Sequence, residues 1–69
     1  WKVVLQSWSE NYLENGNKNL LEEVEPEFER TLIKVALNKS KGKKKEAAEL
    51  LGWGRNTLSR KIKELGIEN

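Results

Sequence analysis

The sequence predicts an all-α fold, a single domain of four helices over residues 1–69. Apolar residues recur at helical spacing in successive stretches, and glycines separate those stretches. No stretch alternates apolar and polar residues as a half-buried strand would. With 69 residues and no cysteine, the chain can build only one small core without disulfides, so association with a second copy is the remaining way to gain stability.

The first helix is predicted over residues 1–15. Its apolar stripe follows the i, i+3, i+4, i+7, i+11 series and consists of Trp1, Val4, Leu5, Trp8 and Tyr12. Gly16 ends this helix, because glycine accepts the left-handed conformation found just beyond helix ends. A second helix is predicted from Pro26 to about residue 39. Proline at a first helical turn loses no hydrogen bond, and the neighbouring glutamates suit the positive end of the helix dipole.

The second helix is apolar over a wide arc. Phe28 and Leu32 occupy one sector and Ile33 and Leu37 lie outside it, so the arc is roughly 200°, about double that of a helix packed on one side. One neighbouring helix cannot cover this surface, which favours a second copy of the chain; a thicker monomeric core is the alternative. Residues 1–40 are therefore predicted to dimerise. The predicted dimer interface consists of Trp8, Tyr12, Phe28, Leu32, Ile33 and Leu37.

Residues 43–66 predict a helix-turn-helix, with one helix from Lys43 to Leu51 and another from Arg55 to about residue 65. Ala48 is small enough for the two helices to cross closely, and Gly52 gives the turn its backbone freedom. Leu58 then anchors the second helix of the pair. Trp53 is expected to point into the core beneath the turn, with stacking on a nucleic-acid base as the alternative.

The last helix separates an apolar side from a polar one. Leu58, Ile62 and Leu65 fall within a ~60° sector that faces the core, and polar side chains lie roughly opposite. Arginine can form two hydrogen bonds with guanine and asparagine two with adenine, and N-terminal residues of such a helix make most base contacts. The predicted base-contacting residues are Arg55, Asn56, Ser59 and Arg60.

Charge is unevenly distributed along the chain. Residues 1–40 hold 5 Lys and Arg against 7 Glu, a balance of −2, whereas residues 41–69 hold 8 against 4, a balance of +4. Consecutive lysines at the positive end of a helix dipole are unfavourable without an anionic partner. A solvated helix start is the alternative for these lysines. The predicted phosphate-contacting residues are Lys41, Lys43, Lys44, Lys45, Thr57, Lys61 and Lys63.

The composition argues against several other functions. The chain has no Cys and no His, which excludes thiolate or imidazole metal sites and the usual pairs of nucleophile and base, so neither an enzyme nor a cofactor is predicted. No apolar run approaches the ~18 residues that a membrane-spanning helix needs. The absence of an initiator Met and of a signal-like segment leads us to expect a fragment of a longer cytoplasmic protein.

The stretches "EAAELLGWGRNTLSRKIKELGIEN" and "PEFERTLIKVALNKSKGKKKEAA" resemble the C-terminal end of the NtrC family of bacterial sigma-54-dependent activators, the nitrogen-regulation response regulators. The similarity is tightest from Pro26 to Glu68. It implies a four-helix Fis-like domain that dimerises through its first two helices and reads a palindromic enhancer on double-stranded DNA in the bacterial nucleoid. It also implies preceding receiver and ATPase domains, and DNA-reading roles for Arg55, Asn56 and Arg60. Fis itself is less similar.

The residues and the resemblance together predict a dimeric, sequence-specific DNA-binding domain of a transcription activator. The alternative is an architectural or dimerisation module that binds DNA without reading its sequence. Exchanging the bases of one half-site distinguishes the two, because only a sequence reader loses affinity.

Overall fold

The computed structural model describes residues 1–67; Glu68 and Asn69, the end of the predicted domain, lie outside the described residues. The helices are α1 (Lys2–Glu14), α2 (Leu20–Lys39), α3 (Lys44–Leu51) and α4 (Arg55–Glu64). Within residues 1–67 there is no strand, so the predicted all-α fold is confirmed. None of these four helices is both long enough and apolar enough to cross a bilayer.

Helix α2 begins six residues earlier than predicted, at Leu20 instead of Pro26. Asn19, in the left-handed region with φ of 58°, ends the preceding turn, and the Glu22 amide donates to the Asn19 carbonyl at 3.0 Å. Pro26 therefore lies inside the helix, where it lacks the N–H that an interior residue donates. Residues on both sides of the proline, Val24 and Phe28, line one groove with α1.

Helix α1 lies against the N-terminal half of α2 and has no buried residue. The ring of Trp1 contacts that of Phe28 with centroids 6.2 Å apart, and Trp8 stacks on Tyr12 at 5.0 Å. A groove of about 640 Å³ lies between the two helices. Its apolar lining consists of Trp1, Leu5, Trp8, Val24, Phe28 and Leu32. The contact between α1 and α2 thus leaves most of the apolar surface of both helices open.

The core lies between the C-terminal half of α2 and the two helices that follow. It consists of Ile33, Ala36, Leu37, Ala47, Ala48, Leu58, Ile62 and Ile67. Ile33, Ala47 and Leu58 have no exposed surface, and Ala48 has only 2%. Adjacent alanines on α3 allow that helix to approach its neighbours closely, as the sequence predicted for Ala48.

Two residues of the predicted dimer interface belong instead to this core. Ile33 is 0% exposed and Leu37 is 7% exposed within one copy of the chain, so a partner cannot reach them. Helices α3 and α4 fold back over this sector of α2, which the helical pattern of α2 alone could not indicate. The other sector, with Phe28 at 47% and Leu32 at 44% exposed, stays open. The wide apolar arc of α2 is therefore divided between the core and an exposed face.

Candidate nucleic-acid interface

Three residues, 52–54, connect α3 to α4, and their backbone forms a defined helix end. Gly52 has φ of +80°, the left-handed region. The Trp53 amide donates to the Ala48 carbonyl at 2.9 Å, and the Gly52 amide donates to the Glu49 carbonyl at 3.1 Å. These two bonds are those of a Schellman motif. A Cβ added at Gly52 would meet no atom within 4 Å, so the backbone angle alone accounts for the glycine.

Trp53 packs against the core, as the sequence predicted. Its side chain is partly buried and contacts the cluster of buried residues, as do those of Leu51 and Leu65. An indole in this position covers the end of the core where the chain turns between the two helices. Trp53 therefore holds the turn, and its packing against the core favours this role over stacking on a base.

Helix α4 presents opposite sides to the core and to solvent. Leu58 is fully buried and Ile62 is 9% exposed. The four predicted base-contacting residues, Arg55, Asn56, Ser59 and Arg60, are all exposed. We name these four residues the reading face. Packing of the apolar side fixes the rotation of the helix, so the reading face points away from the protein.

The reading face is largely free of contacts with the rest of the protein. Across residues 1–67, no side-chain hydrogen bond or ion pair involves Arg55, Asn56 or Ser59. Arg60 forms one ion pair, with Glu64 at 3.9 Å, and both side chains are more than half exposed. An exposed pair at this distance contributes little stability. All four side chains can therefore turn toward an external partner.

The starts of α3 and α4 offer unpaired backbone donors. Lys43 precedes α3 and Gly54 precedes α4, and neither helix has a side-chain hydrogen bond at its N-terminal cap. The first amides of a helix have no partner within it and carry the positive end of the dipole, so they suit an anion such as a phosphate.

Most of the predicted phosphate-contacting lysines are accessible. Lys41, Lys43, Lys45 and Lys63 are exposed, and Lys44 is partly exposed. Lys43 lies 3.9 Å from the carboxylate of Glu46, with both side chains mostly in solvent, so that pair holds it weakly. Thr57, in the first turn of α4, is partly buried.

Lys61 departs from the prediction. Its Nζ lies 3.0 Å from Oε2 and 3.2 Å from Oε1 of Glu29 on α2, and both side chains are only 26% exposed. The ammonium group thus faces α2, away from the reading face. A helical projection places Lys61 near the edge of the polar side, but the partner on α2 determines its direction.

Arg30 is not among the site residues predicted from the sequence. Its guanidinium reaches the C-terminal end of α4, where Nη2 donates to the Leu65 carbonyl at 3.1 Å and Nε to the same oxygen at 3.4 Å. Its spacing in the sequence is informative, because Arg30 lies three residues before Ile33 and seven before Leu37, on the side of α2 that enters the core. A cation there indicates a polar partner across the core, but not which one.

The described part of the chain has no group of three or more His, Cys, Asp or Glu side chains that would hold a metal ion. The predicted site residues on α3 and α4 carry guanidinium, ammonium, amide and hydroxyl groups beside open helix N-termini, and the carboxylate of Glu46 also lies in the first turn of α3. All of these groups except the carboxylate donate hydrogen bonds to phosphate oxygens and to the edges of bases.

Comparison with known proteins agrees with this geometry. The sequence profile of the bacterial regulatory proteins of the Fis family matches residues 26–65. The DNA-binding transcriptional regulator NtrC of Escherichia coli strain K12 is 56% identical over 68 residues, which is 99% of this chain and 14% of that regulator. NtrC of Klebsiella pneumoniae gives the same figures. NtrC of Proteus hauseri is 52% identical over 69 residues, covering 100% of this chain and 15% of that protein.

The predicted resemblance to NtrC regulators is therefore confirmed. The chain corresponds to a small part of these relatives, 14–15% of their length. No solved structure matches the chain.

Proposed function

Because the chain belongs to the Fis family of bacterial regulatory proteins, we propose that it is the sequence-specific DNA-binding domain of an NtrC-type, sigma-54-dependent transcription activator. The observation that carries the proposal is the reading face. Four exposed hydrogen-bonding side chains lie on a helix whose opposite side is docked in the core. Held in this way, α4 can enter the major groove of DNA while α3 crosses the sugar-phosphate backbone.

Base reading is assigned to the reading face. Arg55 and Arg60 carry rigid guanidinium groups that match two acceptors of guanine, and Asn56 matches the donor and acceptor of adenine. Ser59 lies between them and fits beside either base. Arg55 and Asn56 are the first two residues of α4, the end of a recognition helix that approaches the bases most closely.

Phosphate contacts are assigned to the open helix starts and the accessible lysines. Lys41, Lys43, Lys44, Lys45 and Lys63 supply charge, and the first amides of α3 and α4 supply directed donors. Thr57 can add a hydroxyl donor at the start of α4. These contacts hold the domain on the duplex without reading its sequence.

Dimerisation is assigned to the exposed apolar face of α1 and α2. A 13-residue helix with no buried residue is marginal in water by itself, so α1 needs a further surface to cover it. A second copy offers the same groove and the same exposed aromatic rings, as a two-fold interface requires. Trp8, Tyr12, Phe28 and Leu32 remain in the proposed interface; Ile33 and Leu37 do not, because they belong to the core.

The proposed dimer reads a palindromic enhancer. Two-fold symmetry presents the two reading faces to successive major grooves about one helical turn apart, ~34 Å. The NtrC relatives are longer than this chain, and we propose that receiver and ATPase domains accompany it in the whole regulator. Binding to chromosomal DNA would place that regulator in the cytoplasm, at the nucleoid.

Selection of bound duplexes from a random pool, followed by affinity measurements, tests the proposal. Selection is expected to return a palindrome. Exchange of the bases in one half-site should then weaken binding by several kcal/mol, since each mismatch costs ~1–3 kcal/mol. A Fis-like architectural module would instead bind all duplexes alike with a strong dependence on salt. Equal affinity for the selected and exchanged sites would refute sequence-specific reading.

A further inference from the structure

We infer that Arg30, assisted by the ion pair of Glu29 with Lys61, is a positioning residue that fixes α4 relative to the dimerisation helices. By doing so it would set the separation of half-sites that a dimer accepts. The inference rests on the proposed function, because only a dimer with two reading helices has a half-site separation to set.

Arg30 holds the C-terminal end of α4. The last carbonyls of a helix lack partners within it and carry the negative end of the dipole. Two N–H groups of the guanidinium converge on one of these carbonyls, that of Leu65, at 3.1 and 3.4 Å. The side chain is 29% exposed, and Glu27, one turn earlier on α2, accepts from its Nη1. Arg30 is therefore held on both sides, between α2 and the end of α4.

The pair of Glu29 with Lys61 supports the same junction one turn back along α4. Lys61 lies four residues before Leu65, so both contacts are made on one face of the helix. Both charged side chains are about three-quarters buried, which reduces solvent screening of their attraction. Within the described residues these two contacts are the polar links between α2 and α4.

Glu29 and Arg30 lie between the part of α2 that lines the groove and the part that enters the core. Phe28 and Leu32 face the open groove with α1, whereas Ile33 and Leu37 enter the core beneath the helix-turn-helix. Apolar packing of this kind determines which side of α4 faces the core, but it does not by itself constrain small shifts of the helix along its axis. Directed hydrogen bonds at the boundary between the two halves of α2 supply that constraint.

The distance between the two reading faces of a dimer tests the inference without DNA. The chain has no cysteine, so Ser59→Cys introduces one label site per copy, on the reading face itself. Spin-label distance measurement on this chain should give one narrow distribution. Adding Arg30→Met, which keeps side-chain length but removes every donor, should broaden or shift it by about one base-pair rise, ~3.4 Å. Lys34→Met is the matched control, since Lys34 is an exposed cation on α2 with no polar contact among the described residues.

A second readout uses the palindrome returned by selection. Affinity is measured at the selected half-site separation and at separations one base pair longer and shorter. Arg30→Met should reduce the preference for the selected separation about tenfold, as expected for losing a hydrogen bond from a charged group. Arg30→Lys keeps the charge but loses the paired donors, so it should recover only part of that preference.

The outcomes separate positioning from general stabilisation. An unchanged distance distribution and an affinity that falls equally at every separation would overturn the inference, even if Arg30→Met lowered the melting temperature. If Arg30→Met fails to fold, Arg30→Lys and Lys61→Met must broaden the distribution for the inference to stand. If the labelled chain gives no distance because it is monomeric, the proposed dimer fails, and the positioning role fails with it.

Discussion

Charged substitutions at Leu32 and Leu37 should have different effects, on dimerisation and on folding respectively, although the two residues are only five positions apart on α2. Leu37 is 7% exposed within the protomer core, whereas Leu32 is 44% exposed in the groove beside α1. Leu37→Glu places an unpaired carboxylate among buried side chains and also removes the packing of a leucine, which alone is worth ~2–5 kcal/mol. A domain of this size has on the order of 3–10 kcal/mol in total. The variant should therefore be largely unfolded.

Leu32→Glu should leave the protomer core intact and prevent dimerisation. The undimerised chain would keep α2, α3 and α4, but α1 would lose its cover and unfold in part. Helix α1 contributes 13 of the 51 helical residues, so the circular dichroism of the helices should fall by up to about a quarter. Sedimentation should give the mass of one chain, and the melting temperature should no longer depend on protein concentration.

Sedimentation and circular dichroism on both variants, at matched concentration, test whether each leucine belongs to the core or to the dimer interface. A Leu37→Glu chain that stays folded but monomeric would mean that Leu37 faces a partner after all. A Leu32→Glu chain that remains a dimer would show that the groove is not the interface. Either result would refute the division of α2 into a core sector and a dimer sector.

Four further substitutions test the helix-turn-helix. Arg60→Ala should weaken binding to the selected palindrome more than binding to unrelated duplexes. Lys44→Ala should weaken both alike, and it should reduce the slope of log affinity against log salt concentration by about one. Equal behaviour of the two variants in DNA titrations would contradict their assigned roles. Gly52→Ala should lower the free energy of unfolding in urea by ~1–2 kcal/mol, because a φ of +80° is unfavourable for alanine although there is space for its Cβ. An unchanged urea midpoint would mean that the turn relaxes freely. Ala48→Leu should lower the free energy of unfolding by ~1–3 kcal/mol, because Ala48 is only 2% exposed and a larger side chain would overpack the core. A stability equal to that of the unaltered chain would argue against close approach of the helices.

Most of the helix-turn-helix, and the side chains of its candidate site, can be predicted from the spacing of residues along the chain. Leu58 and Ile62 repeat at helical spacing on one side of α4, so they fixed which of its residues face outward, including Arg60. Gly52 marked the end of α3 because a left-handed backbone angle at a helix end is nearly a glycine property. These features depend on residues a few positions apart, and spacing along the chain is enough to predict them.

The division of α2 between the core and an exposed face, and the contacts that join α2 to α4, arise from tertiary packing. The extension of α2 through Pro26 was not indicated by the local sequence, and the burial of Ile33 depends on helices that follow later in the chain. The contacts of Arg30 with the Leu65 carbonyl and of Lys61 with Glu29 join residues more than thirty positions apart. Helical periodicity shows that a side chain lies on a given side of its helix. It does not show which other element covers that side, because coverage is a property of the assembled core.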